Sequence, residues 1–104
     1  MIDVRIKTGK ECLLELTGHA GYAEAGSDIV CASCTILAYV VANAALDAYE
    51  ADELRCEPEI SMEAGNIRIR YMPFNFEVNP VMDAIRQTFE LIADTYPQNV
   101  RIIT

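Results

Sequence analysis

Apolar and polar residues alternate twice near the start of the chain, over residues 1–7 and again over residues 11–17. Alternation with a period of two is typical of a strand that has one buried face and one exposed face. The Thr-Gly-Lys sequence at residues 8–10 favours a turn between the two runs. The chain is therefore predicted to begin with a β-hairpin, whose inward-facing side chains are those of Ile2, Val4, Ile6, Cys12, Leu14 and Leu16.

A long apolar segment comes next, and residues 29–46 contain no charged side chain. Apolar residues fall on most faces of a helix drawn through residues 29–49, which predicts a helix that is buried on several sides. We expect this helix to lie on the sheet and to be covered by a second helix or by another subunit. The segment is also long enough to cross a membrane. Its polar members and its acidic flanks, which lack a lysine or arginine to orient a spanning helix, argue against that interpretation.

The second half of the chain repeats the order of two strands followed by a helix. Alternation predicts strands at residues 57–63 and 67–72, and the Ala-Gly-Asn sequence at residues 64–66 favours a turn between them. The stretch that follows this hairpin has no clear period. Its two aromatic residues, Phe74 and Phe76, are interpreted as core residues, with the lining of an apolar substrate groove as the alternative.

A helix and a short strand are the last predicted elements. Asn79 followed by Pro80 is typical of a helix start, and apolar residues at helical spacing continue to about residue 96. Residues 100–103 are predicted to form the final strand. The order ββαββαβ indicates an α+β fold, with two hairpins and a final strand in a mostly antiparallel sheet and both helices packed on one face. We expect the 104 residues to form a single domain.

Composition narrows the class of protein and its partners. The chain carries 16 acidic and 8 basic residues, a formal net charge of −8. We therefore expect no direct nucleic-acid partner, whereas a basic protein or peptide would be attracted. The N-terminal sequence does not have the pattern of a secretory signal, so we expect a cytoplasmic location, where thiols stay reduced. The four cysteines are accordingly predicted to be free.

The residues with the most chemical potential lie between Gly18 and Cys34. This stretch holds the only histidine, His19, and two of the four cysteines, Cys31 and Cys34. Glycine reaches backbone angles that are closed to other residues, so three glycines here predict a mobile loop that could fold over a bound peptide. The candidate substrate-contacting residues of this loop are Gly21, Tyr22 and Gly26.

A helix start follows the loop, with Ser27 or Asp28 as its cap. Cys31 would then lie in the first helical turn, where unpaired N–H groups and the helix dipole favour an anion, and the thiolate is the reactive form of cysteine. We interpret Cys31 as a nucleophile and His19 as its general base and acid. The N–H groups of Cys31 and Ala32 are candidate oxyanion donors. Asp28 is a cap, an orienting partner for His19, or both.

Cys31 and Cys34 also form a C-x-x-C pair at a helix start, which is the redox arrangement of thioredoxin-like proteins. The strand–helix–strand crossover expected around such a pair is missing, because predicted hairpins flank it. A zinc site that uses both cysteines and His19 is a weaker alternative, since no second close pair of ligands is visible. We expect no metal and no cofactor.

The Gly-His-Ala sequence at residues 18–20 and the Asp-Ile-Val-Cys-Ala sequence at residues 28–32, joined by an acidic, glycine-rich loop, resemble the ribosomal-processing cysteine protease (Prp) family. The resemblance covers nearly the whole chain in length and element order. It implies an endopeptidase that removes the N-terminal extension of the twenty-seventh large-subunit ribosomal protein, with His19 and Cys31 as the catalytic pair.

The same resemblance matches Asp28 to the acid that precedes the family's cysteine, and it implies the α+β architecture and a homodimer. The expected partner is the N-terminal peptide of the ribosomal-protein precursor. Cys34 is a departure, because the family is expected to have a small residue without a thiol there. A non-catalytic interaction domain in ribosome assembly remains a further alternative to the protease and to the dithiol protein.

Overall fold

Residues 1–103, which the computed structural model describes, form five strands and two helices in the predicted order. The elements are β1 (Ile2–Lys7), β2 (Cys12–Thr17), α1 (Ile29–Glu50), β3 (Glu59–Glu63), β4 (Asn66–Tyr71), α2 (Pro80–Thr95) and β5 (Val100–Ile103). All the predicted elements are present, with small shifts at their ends. The predicted α+β fold class is therefore confirmed.

The strands form one sheet in the order β3-β4-β2-β1-β5. Both predicted hairpins pair antiparallel, and β2 joins them by pairing antiparallel with β4. At one edge β5 lies parallel to β1, with Val100 opposite Ile2. This makes the sheet mixed, because α2 carries the chain back along the sheet and lets β5 run in the same direction as β4.

One face of the sheet packs against the helices, and the other face carries charged side chains. Residues from the strands and from both helices join in one buried cluster, which includes Val4, Leu14, Ile69, Val41 and Phe89. On the opposite face Arg70 bridges Glu11 (2.7 Å) and Glu59 (3.0 Å). Partly exposed pairs of this kind add little stability individually, but they keep the outer face polar.

Helix α1 packs on the sheet through small residues and still exposes apolar ones. Its buried side chains are Val30, Cys34, Ala38, Val41, Ala42 and Ala45. By length and composition alone α1 could cross a membrane, but 33% of its most apolar segment is buried inside the domain. Ile29, Ile36 and Val40 remain exposed. The second helix therefore covers α1 only in part.

Helix α2 begins where the Asn-Pro sequence predicts. Asn79 is the cap, and its Oδ1 accepts a hydrogen bond from the Met82 N–H at 3.2 Å. The Asn79 Nδ2 donates to the Tyr71 hydroxyl at 3.0 Å, which ties the helix start to β4. Met82, Ile85 and Phe89 are the buried side chains of this helix.

The core interpretation of the two phenylalanines is wrong for Phe74. Its side chain is 55% exposed, and the guanidinium of Arg55 lies 5.5 Å from the ring centroid. Phe76 is half-buried, with the Lys10 ammonium 6.0 Å from its ring. Neither ring lines the cavities around Cys31. The positive groups that stack on these rings make a partly solvated position stable.

Candidate active site

Cys31 lies in the first turn of α1, and Asp28 caps the helix. The Asp28 Oδ1 accepts hydrogen bonds from the backbone N–H groups of Val30 (3.0 Å) and Cys31 (2.9 Å). The cap therefore falls on Asp28, not on the neighbouring Ser27. It fixes the backbone of the cysteine directly, because one of the two capped N–H groups is its own.

The Asp28 carboxylate also fastens the preceding loop to the helix. Its Oδ2 accepts hydrogen bonds from the N–H groups of Tyr22 (3.0 Å) and Ala23 (3.3 Å). Backbone donors, the Cys31 N–H foremost, hold the pKa of the Asp28 carboxyl below its usual range, although burial acts in the opposite direction. Within residues 1–103 these contacts are those of a helix cap and loop anchor, and none of them reaches His19.

Ala20 connects the loop between β2 and α1 (residues 18–28, the histidine loop) to Cys31. Its backbone N–H donates to the Cys31 Sγ at 3.3 Å, and its carbonyl oxygen accepts from the Asn99 Nδ2 at 2.9 Å. Ala20 itself is buried. Asn99 is anchored in turn, because its carbonyl accepts the N–H of Ile2 at 2.8 Å as β5 begins beside β1.

His19 lies two residues after the end of β2, and its side chain is exposed. The imidazole lies against the turn between β3 and β4, so close that a β-carbon on Gly65 would stand 2.7 Å from Nε2. The Gly18 N–H donates to the Gly65 carbonyl at 2.9 Å and holds the turn beside the histidine. The missing side chain of Gly65 therefore provides the space that the imidazole occupies.

His19 and Cys31 line the same two cavities. The smaller has a volume of about 260 Å³, and its apolar wall includes Leu16, Tyr39, Met62 and Ile67. The larger is about 710 Å³, and its wall includes Gly21, Gly26, Asp28 and Ile36. The two residues that sequence analysis paired are thus brought to one site, with space on both sides for a peptide.

The three loop residues proposed to contact substrate fall into two groups. Gly21 and Gly26, whose φ angles are 68° and 88°, line the larger cavity. Tyr22 lines neither cavity, and its ring packs edge-on against Tyr96 with 5.4 Å between centroids. This packing holds the loop against the end of α2.

Cys34 lies one turn after Cys31 and is buried. Burial, with smaller contributions from charge at Cys31 and Asp28, raises the pKa of the Cys34 thiol to about 12. Such a thiol is neutral at physiological pH and therefore exchanges slowly with disulfides. All four cysteines are free, and no cluster of three or more potential metal ligands occurs within residues 1–103.

Three residues of this site could not be identified from the sequence. Gly65 was visible only as a turn glycine, because its contact with His19 depends on how β2 pairs with β4. Asn99 is 79 residues from Ala20 along the chain, and nothing in its local sequence marks it. Thr35, whose Oγ1 donates to the Cys31 carbonyl at 2.9 Å, was visible only as a polar residue within an apolar helix.

A cysteine held at a helix start, a histidine on the same cavity and an α+β fold together indicate a cysteine protease. The family model described as cysteine protease Prp matches residues 1–101. The chain therefore belongs to the Prp cysteine protease family.

Solved structures agree with this assignment. The essential ribosomal processing protease Prp from S. aureus, with a covalently linked product peptide, is 25% identical, with a TM-score of 0.73 and coverage of 98% of this chain and 97% of that one. The same protease with a substrate peptide is also 25% identical, with a TM-score of 0.64 and coverage of 99% and 98%.

SMU.848 from Streptococcus mutans, at 22% identity and a TM-score of 0.58, shares the fold, with coverage of 98% of this chain and 91% of that one. No curated protein sequence matches the chain significantly.

Proposed function

We propose that this protease removes the N-terminal extension of the twenty-seventh large-subunit ribosomal protein, with Cys31 as nucleophile and His19 as general base and acid. The observation that carries the proposal is the position of Cys31 and His19 on the same cavities in a chain of the Prp family. The S. aureus relative, a ribosomal processing protease that holds substrate and product peptides, supports the same role for this chain.

The reaction begins when His19 takes the proton of the Cys31 thiol and the sulfur attacks the scissile carbonyl carbon. The sulfur lone pair forms the new bond, and the carbonyl π electrons move to the oxygen. When the intermediate collapses, the C–N bond breaks and His19 gives its proton to the leaving amine. His19 then takes a proton from water, which attacks the thioester and releases the acid and the thiol.

Charge supports a basic peptide as substrate. The chain has a net charge of −8, and two carboxylates, those of Asp28 and Glu63, lie on the walls of the two cavities. A basic segment beside the scissile bond would approach this surface favourably. The apolar wall of the smaller cavity suits an apolar side chain of the same peptide.

The test is incubation of the purified chain with the precursor ribosomal protein, followed by intact-mass measurement. A single cut that releases the N-terminal extension is expected. Cys31→Ala should leave the precursor uncut, and His19→Ala should lower kcat by about 10²–10⁴-fold, since general acid–base catalysis contributes that much. Cleavage of the precursor by Cys31→Ala at the native rate would overturn the assignment of the nucleophile.

The proposal includes a homodimer and a cytoplasmic location. An exposed apolar patch on α1, formed by Ile29, Ile36 and Val40, offers a surface that a second copy would cover. Sedimentation should therefore show a dimer that Val40→Glu weakens. Val78→Glu, at a residue that is 70% exposed and outside α1, is the matched control. Equal dimerisation of both variants would remove this patch from the interface.

A further inference from the structure

The N–H groups at the start of α1 already have hydrogen-bond acceptors. The Cys31 N–H donates to the Asp28 Oδ1 at 2.9 Å, and the Ala32 N–H donates to the Asp28 carbonyl at 3.0 Å. These are the two donors that sequence analysis nominated for the oxyanion. To bind a substrate oxygen, these two N–H groups would have to break their hydrogen bonds to the Asp28 carboxylate and the Asp28 carbonyl. The protease therefore needs a donor from elsewhere.

The histidine loop supplies an N–H beside the nucleophile. The Ala20 N–H donates to the Cys31 Sγ at 3.3 Å, from a residue that is 1% exposed. In the tetrahedral intermediate the substrate oxygen is bonded to the carbon that the sulfur has attacked. The oxyanion therefore forms two bonds away from the sulfur, within the reach of a donor that already points there.

We propose that the Ala20 N–H is an oxyanion donor of this protease and that Asn99 positions it. In the free enzyme the N–H lies on the sulfur. When the sulfur lone pair becomes the S–C bond, the sulfur is a poorer acceptor and the carbonyl oxygen carries the charge, so the hydrogen bond passes from Sγ to the oxygen. Collapse of the intermediate breaks the C–N bond and restores the C=O bond of a thioester, whose oxygen keeps the hydrogen bond. The donor returns to the sulfur only when hydrolysis of the thioester breaks the S–C bond. This inference rests on the proposed nucleophile.

Asn99 holds the donor from the far side of the loop. Its Nδ2 donates to the Ala20 carbonyl at 2.9 Å, and its own backbone is fixed by an N–H bond to the Tyr96 carbonyl (2.9 Å) and by the Ile2 N–H (2.8 Å). The contact thus ties the loop that carries Ala20 to the edge of the sheet. Preorganised donors are effective because they need no rearrangement when the charge develops.

The first test compares two reactions of the same thiol in Asn99→Ala. Alkylation by iodoacetamide displaces iodide and forms no oxyanion, whereas a peptide aldehyde forms a tetrahedral hemithioacetal whose oxygen occupies the position of the oxyanion. We expect Asn99→Ala to lower kcat on the precursor peptide by about tenfold or more, and to weaken aldehyde inhibition in parallel, because the oxyanion donor is then poorly placed. The rate of iodoacetamide alkylation should stay within twofold. Asn75→Ala, at an exposed asparagine whose Oδ1 accepts the Glu77 N–H, is the matched control.

A second variant removes the donor and no side chain. Replacement of the amide between His19 and Ala20 by an ester, made by chemical synthesis and ligation, deletes this N–H and changes no side chain, although it also weakens the His19 carbonyl as acceptor of the Met1 ammonium. We expect about a 10²–10³-fold loss in kcat relative to the synthetic all-amide chain, the usual effect of losing one oxyanion donor.

Two results would overturn the proposal: native kcat in the ester variant, or an equal loss of alkylation and of proteolysis, which would mean that the N–H acts only on the thiol. Failure of the proposed function itself would appear separately, as native proteolysis by Cys31→Ala.

Discussion

The imidazole of His19 occupies the place of the side chain that Gly65 lacks. A β-carbon at Gly65 would stand 2.7 Å from Nε2 and 3.1 Å from Cε1 of the ring. Gly65 lies in the turn between β3 and β4, whereas His19 follows β2, the strand that lies next to β4 in the sheet. The position of the candidate base therefore depends on a turn that contributes no side chain of its own to the chemistry.

Gly65→Ala should displace the imidazole and lower kcat. The ring must rotate away from the new methyl group, and we expect a loss of at least tenfold in kcat, since misplaced catalytic groups are costly. Gly9→Ala is the matched control, because Gly9 also has a positive φ but a β-carbon there meets nothing within 4 Å. Both variants should lose about 1–2 kcal/mol of stability from the left-handed backbone. Equal kcat in both variants, measured on the precursor peptide, would contradict the role of Gly65.

Cys34→Ala should leave most of the proteolytic activity in place. The Cys34 thiol is buried and its pKa is raised to about 12 by burial, so it stays neutral at pH 7 to 8. Peptide mapping after brief iodoacetamide treatment of the native protein should accordingly find Cys34 unmodified and Cys31 modified. A dithiol protein would instead lose its function equally in Cys34→Ala and in Cys31→Ala. A protease should lose it only in Cys31→Ala, so the two variants are compared in the same cleavage assay.

Asp28 should make stability depend on pH in the acid range. Its pKa is lowered in the folded protein, chiefly by the Cys31 N–H, so the unfolded state binds a proton more readily than the native state does. The stability that the Asp28 carboxylate contributes is fully present above the ordinary pKa of an aspartate, about 4. It is lost as the pH falls through the lowered pKa of the folded protein. In thermal melts, the Tm of the native protein should lie well above the Tm of Asp28→Asn at pH 7. The difference between the two Tm values should shrink as the pH falls. A constant difference at every pH would contradict this linkage.

Phe89→Ala should destabilise the domain by about 3–5 kcal/mol, the usual cost of truncating a buried phenylalanine. Phe89 lies on α2 and is fully buried in the cluster between the helices and the sheet. Leu91→Ala is the control on the same helix, because that side chain is 64% exposed and should change stability by less than about 0.5 kcal/mol. Urea denaturation measures both changes, and similar values would contradict the packing of α2.

Local patterns predicted the secondary structure well. Period-two alternation located both hairpins, and Asn79-Pro80 located the start of α2. The direction of β5 could not be read in this way, because the parallel pairing of Val100 with Ile2 follows from the path of the helix before it. The exposure of Phe74 could not be predicted from local sequence either, since it depends on the guanidinium of Arg55, 19 residues earlier in the chain.

The sequence by itself determined where the two candidate catalytic residues lie in the secondary structure. It placed Cys31 in the first turn of a capped helix and His19 at the end of a strand one loop earlier, because caps and alternation act over a few residues. Only the tertiary structure decided which groups surround them. Gly65 contacts the imidazole because β4 pairs with β2, and Asn99 reaches Ala20 across 79 residues. Such contacts join segments that are far apart in the chain, so no local pattern encodes them.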